Sequence, residues 1–81
     1  MSVTVLLFAS IADKAGTRRV ELPLTPGETV ASVRDRLFEQ FPQLQPFVST
    51  LLYALDEEYV RDGAAVHDGA TLAFIPPVSG G

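Results

Sequence analysis

A chain of 81 residues has room for one small domain, and its 47% hydrophobic and 20% charged content is that of a globular protein rather than a disordered one. Ten Asp/Glu against six Lys/Arg leave a net charge of −4, which argues against nucleic-acid binding, a role that needs a basic footprint. The chain has no cysteine and one histidine, His67, which removes disulfides, thiolate metal sites, iron–sulfur clusters, a Cys nucleophile, a His-rich metal site and a His-based triad.

The first predicted element is a strand over Val3–Ala9, rich in β-branched and aromatic residues. Val3, Val5 and Leu7 share one face and Thr4, Leu6 and Phe8 the other. Both faces are largely apolar, as in a central strand or one with a partner waiting on its second face. Asp13-Lys14-Ala15-Gly16-Thr17 reads as a turn in which Gly16 can take positive φ. A second strand follows over Arg19–Leu24, with Val20, Leu22 and Leu24 inward. Pro23 lacks an N–H and places this strand at a sheet edge. A hairpin is the simplest connection between the two strands.

Thr25-Pro26-Gly27-Glu28 carries the type II turn signature. Thr29 is the expected N-cap of a helix with Val30, Val33, Leu37, Phe38 and Phe41 on its apolar stripe. Pro42 ends that helix near Phe41. Residues 43–50 read as an irregular connection anchored by Leu44, Phe47 and Val48. Strands are expected over Leu51–Leu55, in short form at Tyr59-Val60, and over Ala70–Ile75. Asp62-Gly63 and Asp68-Gly69 mark turns.

The order strand, strand, helix, strand, short strand, strand implies an α+β fold, a mixed sheet packed on one main helix. This is the β-grasp or ubiquitin-like arrangement. It places the first and last strands side by side in the middle and the second at an edge. Residues 1–75 form the expected domain and residues 76–81 an extended tail.

That tail reads Pro76-Pro77-Val78-Ser79-Gly80-Gly81. The prolines favour a stiff, extended exit from the sheet. Six extended residues reach about 20 Å, enough to enter another protein's active site. Two glycines let the backbone thread a tunnel too narrow for a Cβ and leave a terminal carboxylate sterically open. Near pH 7 that carboxylate is an anion and a poor acylating agent. ATP can activate it as an acyl-adenylate, and a sulfur source can then displace AMP to leave a thiocarboxylate. By itself, a Gly-Gly pair can equally be an inert terminus.

Taken together, the sequence resembles the small, sulfur-carrying subunit of molybdopterin synthase, the MoaD family, over essentially its whole length. The resemblance rests on Val5–Ala9, Ala15-Gly16, Gly27-Glu28-Thr29-Val30, Glu58-Tyr59-Val60, Asp68-Gly69 and above all Ile75–Gly81. The related thiamine sulfur carriers also end in Gly-Gly but are usually shorter and lack the Pro-Pro-Val-Ser lead-in. The resemblance implies that a MoeB-type enzyme adenylates Gly81 with ATP and that sulfur transfer gives a Gly81 thiocarboxylate. It implies that Pro76, Pro77, Val78, Ser79 and Gly80 insert into a large, MoaE-type subunit. There the sulfur attacks cyclic pyranopterin monophosphate to build a dithiolene. The family synthase is a heterotetramer. The chain is then no enzyme alone, and it holds no cofactor or metal of its own. One departure is Asp56, where relatives often have Asn.

Leu6, Phe8, Ala73 and Ile75, joined by Tyr59, are expected to form an apolar partner-binding patch beside the root of the tail. Asp56-Glu57-Glu58, Asp62 and Asp68 read as solvated turn charges, since their spacing does not match an EF-hand loop. His67 reads as a surface residue, and Arg18, Arg19, Arg34 and Arg36 as solvated or rim residues. The net acidity would steer the chain toward basic partner surfaces, or serve solubility. No apolar run approaches the ~18 residues of a membrane span and no signal pattern opens the sequence, so a cytoplasmic, membrane-free setting is expected. Three alternatives share these residues: a sulfur carrier for another pathway, a ubiquitin-like modifier that forms amides with target lysines, and an interaction domain with an inert tail.

Overall fold

A computed structural model describes residues 1–77. The elements are β1 (Ser2–Leu7), α1 (Ala9–Ala15), β2 (Arg19–Pro23), α2 (Val30–Gln40), a 3₁₀ helix (Pro42–Phe47), β3 (Leu52–Leu55), β4 (Glu58–Val60) and β5 (Thr71–Ile75). The five strands form one sheet in the order β2-β1-β5-β3-β4. β1 and β5 run parallel at its centre, with Val5 opposite Leu72 and Leu7 opposite Phe74. The other three pairings are antiparallel. This is the β-grasp arrangement, with β2 at one edge, where Pro23 is tolerated, and β4 at the other.

One face of the sheet is closed by the helices. Val3, Val5, Leu7, Leu72 and Phe74 are buried there against Val30, Val33, Leu37 and Phe38 of α2. Alternation along β1 and β5 decides which residues face in, and each central strand presents an unbroken apolar row to the helix. The Phe74 ring meets Phe38 edge-on at 6.2 Å and Tyr53 at 5.5 Å. Such contacts each add about 0.5–1.5 kcal/mol beyond the burial itself.

α2 starts where Thr29 places it. The Thr29 hydroxyl accepts a hydrogen bond from the Ser32 N–H, and the Ser32 hydroxyl accepts one from the Thr29 N–H, a reciprocal capping box. Two further first-turn donors are taken by a loop: Val30 N–H donates to the Ala64 carbonyl and Ala31 N–H to that of Asp62. The segment between β4 and β5 is thus fastened to the start of α2 and needs no regular structure of its own.

Three sequence expectations need correction. Val3–Ala9 is not strand throughout, because β1 ends at Leu7 and Phe8 becomes the N-cap of α1, which occupies part of the expected turn. That seven-residue helix was hidden because it buries just Ile11 and Ala12, has no side-chain cap, and is entered through Ala9 at φ 50. Gly16 does take positive φ (77), as the left-handed cap that ends α1. β1 and β2 are therefore antiparallel neighbours joined through a helix, not by a tight hairpin. Residues 42–47 form a 3₁₀ helix with Pro42 at its start and Leu44 fully buried.

The third correction concerns Arg34 and Arg36, expected to be solvated or at a rim. Arg34 is largely buried, and its Nη1 donates to the Tyr53 hydroxyl at 2.9 Å, tying α2 to β3. Arg36 donates to both oxygens of Glu28, at 3.0 and 2.8 Å, and to the Pro23 carbonyl at 2.6 Å, tying α2 to the end of β2. Partial burial pushes the Glu28 carboxyl up, but hydrogen bonds from the Thr25 N–H, Arg36 and Ser32 more than offset this and hold it below its ordinary value.

If these contacts set stability as described, Thr29→Ala should cost about 1 kcal/mol and Phe74→Ala about 3–5 kcal/mol. Denaturant unfolding of the two variants checks the ratio, and equal losses would contradict it.

Candidate functional site

The sheet face away from α2 has no element packed on it among the described residues. Because side chains alternate, Ser2, Thr4 and Leu6 of β1 point outward, as do Thr71, Ala73 and Ile75 of β5 and Leu52 and Ala54 of β3. Strand register aligns them. Leu6 stands opposite Ala73, Ala73 opposite Ala54, and Ala54 opposite Tyr59. One apolar row therefore crosses four strands, with two alanines at its centre and larger side chains at its ends. In the next row, toward the tail, Ile75 stands opposite Leu52.

Small residues between large ones leave a hollow. A concavity of ≈ 340 Å³ is lined by Leu6, Phe8, Ala54, Tyr59, Ala73 and Ile75, with Glu57 and Thr71 at one end. Ala73 is almost fully buried yet lies outside the core cluster, as the floor of the hollow should be. Tyr59 is 73% exposed, and Phe8 and Leu52 are each 45% exposed. The structure thus brings Leu6, Phe8, Tyr59, Ala73 and Ile75 to one place. Sequence reasoning missed Leu52 and Ala54. The alternation of residues 51–55 held the signal, once β3 is placed beside β5.

The tail begins at this hollow. β5 ends at Ile75, and Pro76 and Pro77 follow outside any strand. Val78, Ser79, Gly80 and Gly81, expected to insert and to carry the chemistry, lie outside the described residues. Because β1 and β5 are parallel, Phe8 and the start of α1 lie at the same end of the sheet as Pro76.

The opposite end of the hollow is closed by charged groups. The β3–β4 turn passes through Asp56 and Glu57 with φ of 50 and 73, a left-handed pair that Asn or Gly would take more readily. Asp56 holds it in place. Its N–H donates to the Thr71 carbonyl, its Oδ1 accepts from the Thr71 N–H at 2.9 Å, and its Oδ2 lies 2.6 Å from His67 Nε2. The other ring nitrogen, Nδ1, lies 2.9 Å from the Asp68 carbonyl oxygen. Both imidazole partners are acceptors, so the doubly protonated ring satisfies both. His67 is on the surface, as expected, but Asp56 is a structural turn residue rather than a merely solvated charge.

These contacts raise the His67 pKa above its ordinary value, chiefly through the hydrogen bond to Asp56. They lower that of Asp56, chiefly through the Thr71 N–H and then His67. Both shifts favour the charged pair. The His67 contribution to stability is complete below 6.5 and is lost as pH rises through its raised folded value. The Asp56 contribution is complete above 3.8 and is lost as pH falls through its lowered folded value. Both are present between those limits. An NMR titration of the imidazole should find His67 above its ordinary value, with Asp56→Asn returning it toward 6.5. An unchanged titration in that variant would dismiss the pairing.

The ThiS family pattern matches residues 5–81. The chain is 38% identical to the molybdopterin synthase sulfur carrier subunit of Arabidopsis thaliana, over 100% of this chain and 84% of that protein. It is 35% identical to the protein of the same name from Chlamydomonas reinhardtii, over 100% of both. Among solved structures, SAMP1 from Haloferax volcanii superimposes with a TM-score of 0.91 at 31% identity, covering 100% of both chains. With the family pattern running from β1 into the tail and these relatives alike over the whole fold, the chain belongs to the ThiS family, among the molybdopterin synthase sulfur carrier subunits and their ubiquitin-fold neighbours.

Proposed function

We propose that this chain is the sulfur-carrier subunit of a molybdopterin synthase. The observation that carries the reading is the likeness to proteins of that name over the full chain, including the Gly80-Gly81 tail. An apolar hollow beside the tail root supports it, because a carrier must be held by its partner while the tail is used.

The chemistry follows from the tail. The Gly81 carboxylate attacks the α-phosphorus of ATP in a MoeB-type enzyme, releasing pyrophosphate and forming an acyl-adenylate. A sulfur donor displaces AMP, so that a carbon–sulfur bond replaces the carbon–oxygen bond to phosphate. The thiocarboxylate is then carried to a large MoaE-type subunit, with Pro76–Gly80 spanning the distance from the apolar face to that subunit's active site. There the sulfur attacks a side-chain carbon of cyclic pyranopterin monophosphate, the new carbon–sulfur bond replacing a carbon–oxygen bond whose oxygen leaves with phosphate or as water. Hydrolysis of the resulting thioester returns the Gly81 carboxylate and leaves the sulfur on the pterin. Two rounds supply the two sulfurs of the dithiolene, matching a heterotetramer with two carriers. Acid–base and phosphate-binding groups belong to the large subunit. ATP is a substrate of the activating enzyme, not a cofactor of this chain, and the setting is cytoplasmic.

The likeness to small archaeal modifier protein 1 favours a second reading, in which the same activated Gly81 is passed to a protein lysine and forms an amide. Both readings share the adenylate and part at the acceptor.

The test is mass spectrometry of the C-terminal peptide after incubation with ATP, a sulfur donor and a MoeB-type enzyme. The sulfur-carrier reading predicts an oxygen-to-sulfur exchange localised to Gly81. The peptide must be isolated, because oxidation of Met1 changes the mass almost equally. An unmodified Gly81, with an enzyme shown to charge another carrier, would overturn the sulfur reading. Lysine adducts in place of the thiocarboxylate would favour the modifier.

A further inference from the structure

Three of the five arginines are already paired: Arg19 with Glu21 on the surface of β2, Arg34 with Asp35 and Asp62, and Arg36 with Glu28. Arg18 and Arg61 differ. Both are exposed, and neither side chain makes a hydrogen bond or ion pair among the described residues. Topology places both at one end of the sheet. Arg18 precedes β2, and its carbonyl accepts from the Leu7 N–H near the end of β1. Arg61 follows β4, one residue past the pairing of Val60 with Tyr53. This is the end at which β5 stops and the tail begins.

Each arginine lines a cleft that continues the apolar hollow. Arg18 shares one of ≈ 360 Å³ with Leu6 and Phe8, and Arg61 shares one of ≈ 540 Å³ with Leu52 and Tyr59. Asp13 and Asp62 stand in the same two clefts without pairing to these arginines, and Asp62 is turned to Arg34 at 3.7 Å. The far end of the face carries the opposite sign. Asp56, Glu57 and Glu58 lie at the β3–β4 turn and Asp68 before β5, with His67 the one cation among them. A chain of net charge −4 thus carries, at the tail-root end of its docking face, two arginines that find no partner among the described residues, and a cluster of carboxylates at the other end.

From this polarity we infer that Arg18 and Arg61 are orienting contacts for the protein that receives the tail, and that they meet carboxylates flanking the mouth of its channel. The inference rests on the docking face of the proposed function and deepens it. Net acidity draws a partner of opposite charge without regard to direction. Two cations bracketing the tail root turn the encounter so that the tail leads. Charges at the rim of an interface act mainly on the association rate and its salt dependence.

The experiment measures association of the full chain with the purified large synthase subunit of the same organism, by stopped flow, at low and high salt. The double variant Arg18→Glu/Arg61→Glu should associate about tenfold more slowly at low salt, with the deficit shrinking at about 1 M salt, where screening is nearly complete. Gln40→Glu, exposed on α2 and away from the docking face, should change the rate less than about twofold. Circular dichroism checks that the double variant folds, as expected for two exposed residues. An unchanged rate, or a deficit that persists undiminished in high salt, overturns the inference. Phe8→Glu separates this from the reading beneath it. If Phe8→Glu abolishes binding while the double variant associates normally, the orienting role alone is wrong. If Phe8→Glu binds normally, or the unaltered chain fails to bind, the docking face is wrong and the inference falls with it.

Discussion

β1 and β5 come from the two ends of the sequence and pair in parallel at the middle of the sheet, Thr4 with Thr71 through Leu7 with Phe74. Most else depends on this pairing. It buries Val3, Val5, Leu72 and Phe74 against α2, so the core cannot close until both ends of the chain have met. It requires a crossover rather than a turn, which α2 and the segments around it provide. Because the strands run the same way, the point where β5 gives out lies beside Phe8 and the start of α1. The root of the tail, the apolar hollow and Arg18 and Arg61 are therefore neighbours through one topological choice.

The same pairing suits the proposed carrier role, in which the tail is used in a partner's active site. The fold offers a rigid platform, apolar on its outer face, from which a short peptide departs. The inward row of each central strand maintains the core while the outward row stays free to be covered by another protein. Alanines at positions 54 and 73 keep that outward row hollow, so a partner side chain has somewhere to go. The His67–Asp56 pair lies beyond the Glu57 and Thr71 end of the hollow and holds a turn whose left-handed residues would otherwise cost free energy.

Much of this was readable from residue order because the periodicities are clean. Val30, Val33, Leu37 and Phe38 repeat at helical spacing behind a Thr29 cap, and Leu72 and Phe74 alternate with Ala73 and Ile75. Pro23 at an edge and Pro42 after the helix act through a missing N–H and a steric clash, both local effects. The misses were of another kind. α1 is too short to display a period, and its entry through Ala9 breaks the usual start signal. The bridging roles of Arg34 and Arg36, and the pairing of His67 with Asp56, depend on residues brought together from distant parts of the chain, where spacing says nothing. Leu52 and Ala54 join the apolar row through the β3–β5 register, which follows from the fold and not from either strand alone.

The central claim is that the outward face of β1, β5 and β3, next to the tail root, is where this chain is held. The most direct measurement is chemical-shift mapping of the isotope-labelled chain on titration with the large synthase subunit. The account predicts that the resonances of Leu6, Phe8, Leu52, Ala54, Ala73 and Ile75 shift or broaden together, while those of the exposed side of α2, such as Asp35 and Glu39, hold still. Perturbation centred on α2, with the sheet face unmoved, would contradict it.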